Sequence, residues 1–210
     1  MQKGKFFVIE GIDGSGKSTQ MEILSNKLSS INQKHHLTTE PTDGPIGVVI
    51  RKVLRKEIVV SESALAGLFL ADRLDHLENE ENGLTKIISR GTHIITDRYY
   101  WSSFAYHSLH LPMEWVIEIN AKCAEILKPD ITFYLDLSPE ESISRIKQSR
   151  ASTELFEEKK ILENVRNNYL KSIELLGDKE NVVVVNINEN KSPEEVFERI
   201  WVHISKMLEI

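Results

Sequence analysis

The stretch Phe6-Phe7-Val8-Ile9-Glu10-Gly11-Ile12-Asp13-Gly14-Ser15-Gly16-Lys17-Ser18 decides how the rest of the chain is read. Phe6 to Ile9 reads as a buried strand that ends at Gly11. Gly11 to Ser18 then matches the pattern G-x-x-x-x-G-K-[ST] without a mismatch. Lys17 to Leu28 follows with helical spacing, placing Met21, Leu24 and Leu28 on one stripe. Strand, glycine-rich turn and helix in that order make an anion site. The glycines let the backbone curl so that successive N–H groups point at phosphate oxygens. The helix N-terminus adds partial positive charge. Lys17 offers a flexible cation to the β and γ oxygens, and Ser18 a hydroxyl to Mg²⁺. An accidental match is expected in roughly one chain per hundred or fewer. The motif therefore implies a bound nucleoside triphosphate, held by Gly11, Ile12, Asp13, Gly14, Ser15, Gly16, Lys17, Ser18 and Thr19.

Outward from this loop the chain alternates strand and helix. His36 to Thr39, His93 to Thr96, Ile131 to Leu135 and Val182 to Ile187 read as further strands. Helices are expected over Ile46 to Arg55, Ser61 to Asn79 and Pro112 to Leu127. Ser61 is the expected N-cap of the second of these, and Gly83 closes that segment. Ser138-Pro139-Glu140-Glu141 and Ser192-Pro193-Glu194-Glu195 read as helix starts with proline in the first turn, the second helix running to about Leu208. Five strands separated by helices predict an α/β fold: a five-stranded parallel sheet flanked by helices on both faces, with right-handed crossovers.

Composition limits what such a fold does here. With 210 residues and no linker or repeat, one domain spanning residues 1–210 is expected. Lys plus Arg total 26 against 32 Asp plus Glu, a net charge of −6, so no global field gathers nucleic acid or anionic lipid. Cys123 is the only cysteine, which excludes an internal disulfide and fits a reducing compartment. It is expected to be a buried small hydrophobe on a stripe with Val116, Ile119 and Leu127. The longest purely apolar run, Val182 to Val185, has strand length rather than membrane-spanning length. Met1 to Lys5 carries no signal-peptide pattern, so a cytoplasmic location is the default expectation.

Among phosphate-loop proteins, a GTPase switch would need N-K-x-D, but Asn26-Lys27 continues Leu28-Ser29. The only D-x-x-G, Asp13 to Gly16, lies inside the loop itself. A nucleic-acid motor would need more chain and a basic channel. A small phosphotransferase needs an acceptor pocket and cations. Asp97-Arg98-Tyr99 follows a strand end, where ligands sit in open parallel sheets. Asp97 there can orient Mg²⁺ or its waters, and Arg98 can clamp a phosphate with two N–H groups. Phe69 and Arg73, four apart, share a helix face and suit a planar base with a carbonyl oxygen. Taken alone, that pair reads more readily as a core ring beside a solvated arginine.

Together these residues resemble the thymidylate kinase family. The resemblance rests on Phe7 to Gln20, Glu40-Pro41 with Ile46-Gly47 and Ile50-Arg51, Leu68 to Arg73 with His76, Asp97-Arg98-Tyr99 with Ser102 to Tyr106, and Lys128-Pro129-Asp130 leading into Thr132 to Asp136. Phe156-Glu157, Val165-Arg166 and Tyr169-Leu170 match more loosely. It implies a nucleoside monophosphate kinase-like fold with a short lid, at about residues 146–158, and transfer of the γ-phosphate of ATP to dTMP, giving ADP and dTDP. It also implies a homodimer and a role for each residue. Phe69 stacks on thymine and Arg73 hydrogen-bonds it. Arg51 and Arg98 hold the acceptor phosphate. Ser102 and Ser103 line the site, and Tyr106 packs under the sugar. Asp13 faces the acceptor, and Glu40 lies near Mg²⁺ and the acceptor. The chemistry agrees. A phosphate oxygen is already ionised at neutral pH, so bringing two anions together in line needs cations and positioning rather than a general base.

Members of this family differ in the source of the transition-state arginine, which lies either in the phosphate loop, where this chain has Gly14, or in the lid. Arg150 is the candidate here, with Arg145 second. Two departures from the family pattern are Thr39 before Glu40-Pro41 and His107 after Tyr106, where glutamine is frequent; His107 is expected to touch the base edge. His35-His36 is expected in a solvated loop or strand start, and His76 in a local cap or pair. The aromatic run Tyr99-Tyr100-Trp101 with Phe104 is read as core packing, with a pocket wall or dimer contact as the alternative. A kinase of another nucleoside or nucleoside monophosphate, and a nucleotide-binding regulatory module, are the competing functions.

Overall fold

A computed structural model of the chain describes residues 3–149, 155–187 and 192–210. Its core is a five-stranded, wholly parallel sheet built from β1 (Phe6–Glu10), β2 (His35–Thr39), β3 (His93–Asp97), β4 (Ile131–Asp136) and β5 (Val182–Asn186). The strand order is β2-β3-β1-β4-β5, and the register sets Ile9 beside Asp97 and Glu10 beside Tyr134. β1 and β4 are buried at every position, as expected of central strands covered on both faces. The edge strands tolerate water: His36 and Leu37 of β2 and Val184 of β5 are exposed.

Helix α1 (Lys17–Ser30) follows β1 directly. α2 (Pro45–Leu54) and α3 (Glu62–Glu78) come next, and Ser61 caps α3 by accepting the Ala64 N–H at 3.2 Å, as its side chain predicts. α6 (Met113–Ile126) matches the expected helix to within a residue at each end. So does α9 (Pro193–Leu208), whose Ser192 and Glu195 form a reciprocal capping box. α7 (Pro139–Ser149) and α8 (Leu155–Leu176) flank residues 150–154, which lie outside the described residues.

Three helices were not visible in the pattern: α8 and two shorter ones. Gly83 does not close α3, which ends at Glu78. It instead caps a short helix, α4 (Leu84–Ser89), after a turn so tight that a Cβ on Gly83 would sit 2.6 Å from the Asn79 carbonyl oxygen. α5 (Tyr100–His107) is too aromatic throughout to display a 3.6-residue period. Tyr99, Tyr100, Trp101 and Phe104 are all buried in the main core, which is the packing reading of that run. Cys123 is also fully buried, and burial pushes its thiol up to about 11, an unreactive small hydrophobe. Among the described residues, no helix is long and apolar enough to cross a membrane.

Chain direction places the chemistry. From the central β1 the chain winds first to β2 and β3 on one side, then to β4 and β5 on the other. The carboxyl end of β1 therefore lies at the reversal point, where ligands bind in such sheets.

Candidate active site

At that end of β1 the phosphate loop curls through left-handed backbone at Gly14 (φ 74°) and Gly16 (φ 89°), which only glycine adopts without strain. Gly14 is also crowded: a Cβ would stand 3.0 Å from the Ser142 carbonyl oxygen on α7. Gly16 leads into α1, which has neither a side-chain cap nor an acidic residue in its first turn. An anion there meets N–H groups that no side chain has already satisfied. Lys17 is 6% exposed and bends its ammonium back to the Ile12 carbonyl oxygen at 3.2 Å. Burial, helped by the charge of Arg98, lowers its pKa to about 8, against the pull of Asp97 and Asp13.

Two cavities meet at this point. The first is lined by Gly14, Gly16, Lys17, Ser18 and Thr19 of the loop, by Asp97 and Arg98, and by Arg145 of α7. It continues past Ser15 and Gln20 to an apolar end formed by Ile187, Pro193 and Val196. Arg145 is held by Glu141 one turn earlier, at 3.1 Å. Arg150, and with it part of the expected lid, lies outside the described residues.

The second cavity, of about 410 Å³, is lined by Phe69 and Arg73 of α3, by Glu40 and Pro41, and by Arg98, Ser102, Ser103, Tyr106 and His107. That size falls in the usual small-molecule range of roughly 300–1,000 Å³. The structure thus gathers the predicted acceptor residues from four separate stretches of sequence. Arg51 is the exception: it is not among the residues lining this cavity, and its guanidinium bonds the Pro41 carbonyl oxygen at 3.0 Å and the exposed Asp43 at 3.2 Å.

Arg73 corrects the expectation of a solvated side chain on α3. It is 1% exposed, pairs through Nε with Glu40 at 2.7 Å, and donates through Nη1 to Ser103 at 3.0 Å and Asn120 at 2.5 Å. Glu40 uses its other oxygen on His76 Nδ1 at 3.1 Å, and His76 Nε2 meets the Thr38 hydroxyl at 2.8 Å. The His76 contacts are therefore long-range, not the local pair its helix position suggested. Glu40 faces the second cavity and the Arg73 pair, whereas Ser18 and Asp97 line the first. His107 packs edge-on against Phe69, with ring centroids 5.1 Å apart. Burial, and then the charge of Arg73, lower its pKa to about 4, so the ring is neutral at physiological pH.

Asp13, Arg98 and Tyr106 line both cavities. Arg98 holds a left-handed backbone conformation (φ 70°) unusual for a non-glycine residue. Its guanidinium bonds Asp13 at 2.5 Å and Ser102 at 3.1 Å, and lies 5.0 Å from the Tyr106 ring centroid. Beneath it, the fully buried Glu10 accepts from the Tyr99 N–H at 2.7 Å, the Ser102 hydroxyl at 2.6 Å and Tyr169 of α8 at 2.9 Å. Burial raises the Glu10 carboxyl against those bonds. Glu10 and Asn120 were not among the predicted site residues. The available signal was a polar residue on an otherwise buried pattern: Glu10 ends an apolar strand, and Asn120 shares the stripe of Val116 and Cys123.

A family model described as thymidylate kinase matches residues 9–200. A protein of Methanococcus aeolicus described as "Probable thymidylate kinase" is 41% identical over 198 residues, covering 93% of each chain. One of Pyrococcus horikoshii with the same description is 37% identical over 84% of this chain and 86% of its own.

Proposed function

Because the chain belongs to the thymidylate kinase family and carries out ATP:dTMP phosphotransfer, we propose that its two cavities divide that reaction between them. ATP lies along the phosphate loop, its base toward Ile187, Pro193 and Val196. dTMP lies in the Phe69–Arg73 cavity with its phosphate toward Arg98. The observation that carries this reading is the wall formed by Asp13, Arg98 and Tyr106, which borders both cavities. A phosphoryl group can cross only where donor and acceptor phosphates face each other without water between them.

In this reading Lys17 draws charge from the β and γ oxygens while the loop N–H groups hold them in line. Arg98 neutralises the acceptor phosphate, and its bonds to Asp13 and Ser102 fix the angle of approach. Phe69 stacks on thymine, Tyr106 packs under the deoxyribose, and neutral His107 walls the base edge. Arg73 donates to a base carbonyl. A donors-only group there accepts the 4-oxo group of thymine and rejects the 4-amino group of cytosine. Arg145 of α7, beside the loop, or Arg150 of the lid of the single kinase domain meets the charge on the bridging oxygen.

Mg²⁺ fits the donor side. Asp97 Oδ1 is buried without a hydrogen-bond partner and lines the same cavity as Ser18. No cluster of three protein acids, histidines or cysteines is present among the described residues, as suits an ion held mostly by phosphates and water. When bound, Mg²⁺ supplies charge neutralisation across the β and γ phosphates. Glu40, occupied by Arg73 and His76, serves the acceptor side. Exposed Val48 and Val49 on α2 offer a homodimer apolar side chains to cover. The cytoplasm, where ATP is plentiful and Cys123 stays reduced, is the proposed location.

Arg73→Ala is expected to raise the dissociation constant for dTMP by about tenfold or more while leaving that for ATP within about twofold, in separate binding titrations. Equal losses for both nucleotides would make Arg73 structural and remove the acceptor assignment.

A further inference from the structure

We propose that Asn120 of α6 is a positioning residue for base recognition: it fixes the rotation of the Arg73 guanidinium so that Nη2 alone is presented to the acceptor base. The proposal rests on the reading of Arg73 as the base contact. A guanidinium has five N–H groups in one plane. Here Nε is taken by Glu40 and Nη1 by Ser103 and Asn120. One face of the plane lies over the Tyr99 ring, 5.4 Å from its centroid. No hydrogen bond to Nη2 accompanies these among the described residues, and Arg73 lines the acceptor cavity although it is almost wholly buried. The edge carrying Nη2 is thus the one left for a ligand.

Each partner does a different part of this. Glu40 supplies the counter-charge, and its second oxygen is anchored by His76. Ser103 accepts one Nη1 hydrogen through a hydroxyl that can itself turn to donate to a ligand in the cavity. Asn120 accepts the other in one fixed orientation. Its amide nitrogen donates to the Val116 carbonyl oxygen one turn earlier at 2.8 Å, which orients the amide with Oδ1 toward Arg73. The residue is 2% exposed, so water cannot substitute for the lost acceptor. Without it, one Nη1 hydrogen is buried unpaired, and the guanidinium gains by rotating toward any acceptor in the cavity. Recognition of a 4-oxo base then loosens, although no atom that touches the nucleotide has been removed.

The test compares Asn120→Leu, which keeps the volume and removes the acceptor, with Asn120→Asp, which keeps Oδ1 and loses the bond to Val116, and with Arg73→Ala. The readouts are KM for dTMP and for ATP, kcat, and inhibition by dCMP as a competitor of dTMP. Asn120→Leu is expected to raise KM for dTMP by about tenfold and to narrow the gap between dTMP and dCMP. KM for ATP and kcat at saturation should stay within about twofold of the parent protein. Asn120→Asp should keep the dTMP preference even where it lowers the melting temperature, an outcome that a purely structural role does not produce. If Asn120→Leu does not accumulate, Asn120→Ser, too short to reach Arg73, takes its place. An unchanged KM for dTMP in Asn120→Leu, or a loss of preference in Asn120→Asp as large as in Arg73→Ala, overturns the proposal. If Arg73→Ala itself leaves dTMP binding intact, the reading of Arg73 has failed, and the two failures are told apart.

Discussion

Lys17→Ala is expected to yield a folded protein whose turnover with ATP and dTMP falls by at least about 10²-fold, the usual cost of removing one preorganised cation from a transferring group. The fold should survive because Lys17 gains little from its position in the free protein. Burial lowers its pKa to about 8, so the charged form is disfavoured relative to an unfolded chain. Removing that group costs no stability below pH 8, and the melting temperature of the variant should match or exceed that of the parent. The same shift has a signature in binding. Free Lys17 is about half protonated near pH 8, and the phosphates of ATP restore its charge. ATP binding at that pH should therefore take up a proton, visible by calorimetry in buffers of different ionisation enthalpy, and the uptake should vanish in Lys17→Ala. A folded variant that retains most of its turnover would remove the phosphate loop from the mechanism.

The second large effect belongs to Arg98. Arg98→Ala is expected to lower kcat/KM for dTMP by about 10²–10³-fold, because the same guanidinium borders both cavities and no other described arginine does so. Arg98→Lys keeps the charge without the two-pronged geometry and should recover only part of the loss. The backbone offers a control. Arg98 sits at φ 70°, strain of order 1–3 kcal/mol for a non-glycine residue. Arg98→Gly relieves that strain and loses the same guanidinium. It should melt at or above Arg98→Ala while being equally inactive. A variant at this position that loses stability and activity in proportion would mean that Arg98 merely holds α5 in place.

How far the sequence carried these conclusions depends on the range of the interactions involved. The phosphate loop was legible because strand, turn and helix are contiguous and each glycine has a local reason. Four of the five strands were legible as apolar runs, the polar edge strand β2 only weakly so, and Ser61 and Ser192 announced their helices through local caps. α4 and α5 were not legible: one has a single turn and a half, and the other is apolar on nearly every side. The acceptor cavity was legible only in part. Phe69 and Arg73 share a face by spacing, but nothing local says that Arg73 is buried, since its partners Glu40, Ser103 and Asn120 lie 33, 30 and 47 residues away. The same distance problem hid the Glu10 hub and the His76–Glu40 contact. Arg51 shows the converse, a residue whose motif position suggested the cavity and whose nearest acceptors, Pro41 and Asp43, draw it aside.

In the proposed reaction the Phe69–Arg73 cavity takes a thymine nucleotide and passes it a phosphoryl group across the Arg98 wall. The most direct measurement is ADP release from ATP and Mg²⁺ with a panel of acceptors: dTMP, dUMP, dCMP, AMP, dGMP and no acceptor at all. Turnover should depend on the acceptor and be highest with dTMP, with dCMP poorer by about tenfold or more because Arg73 has only donors to offer an amino group. Turnover indifferent to the acceptor, or a preference for dCMP or a purine monophosphate over dTMP, would contradict it.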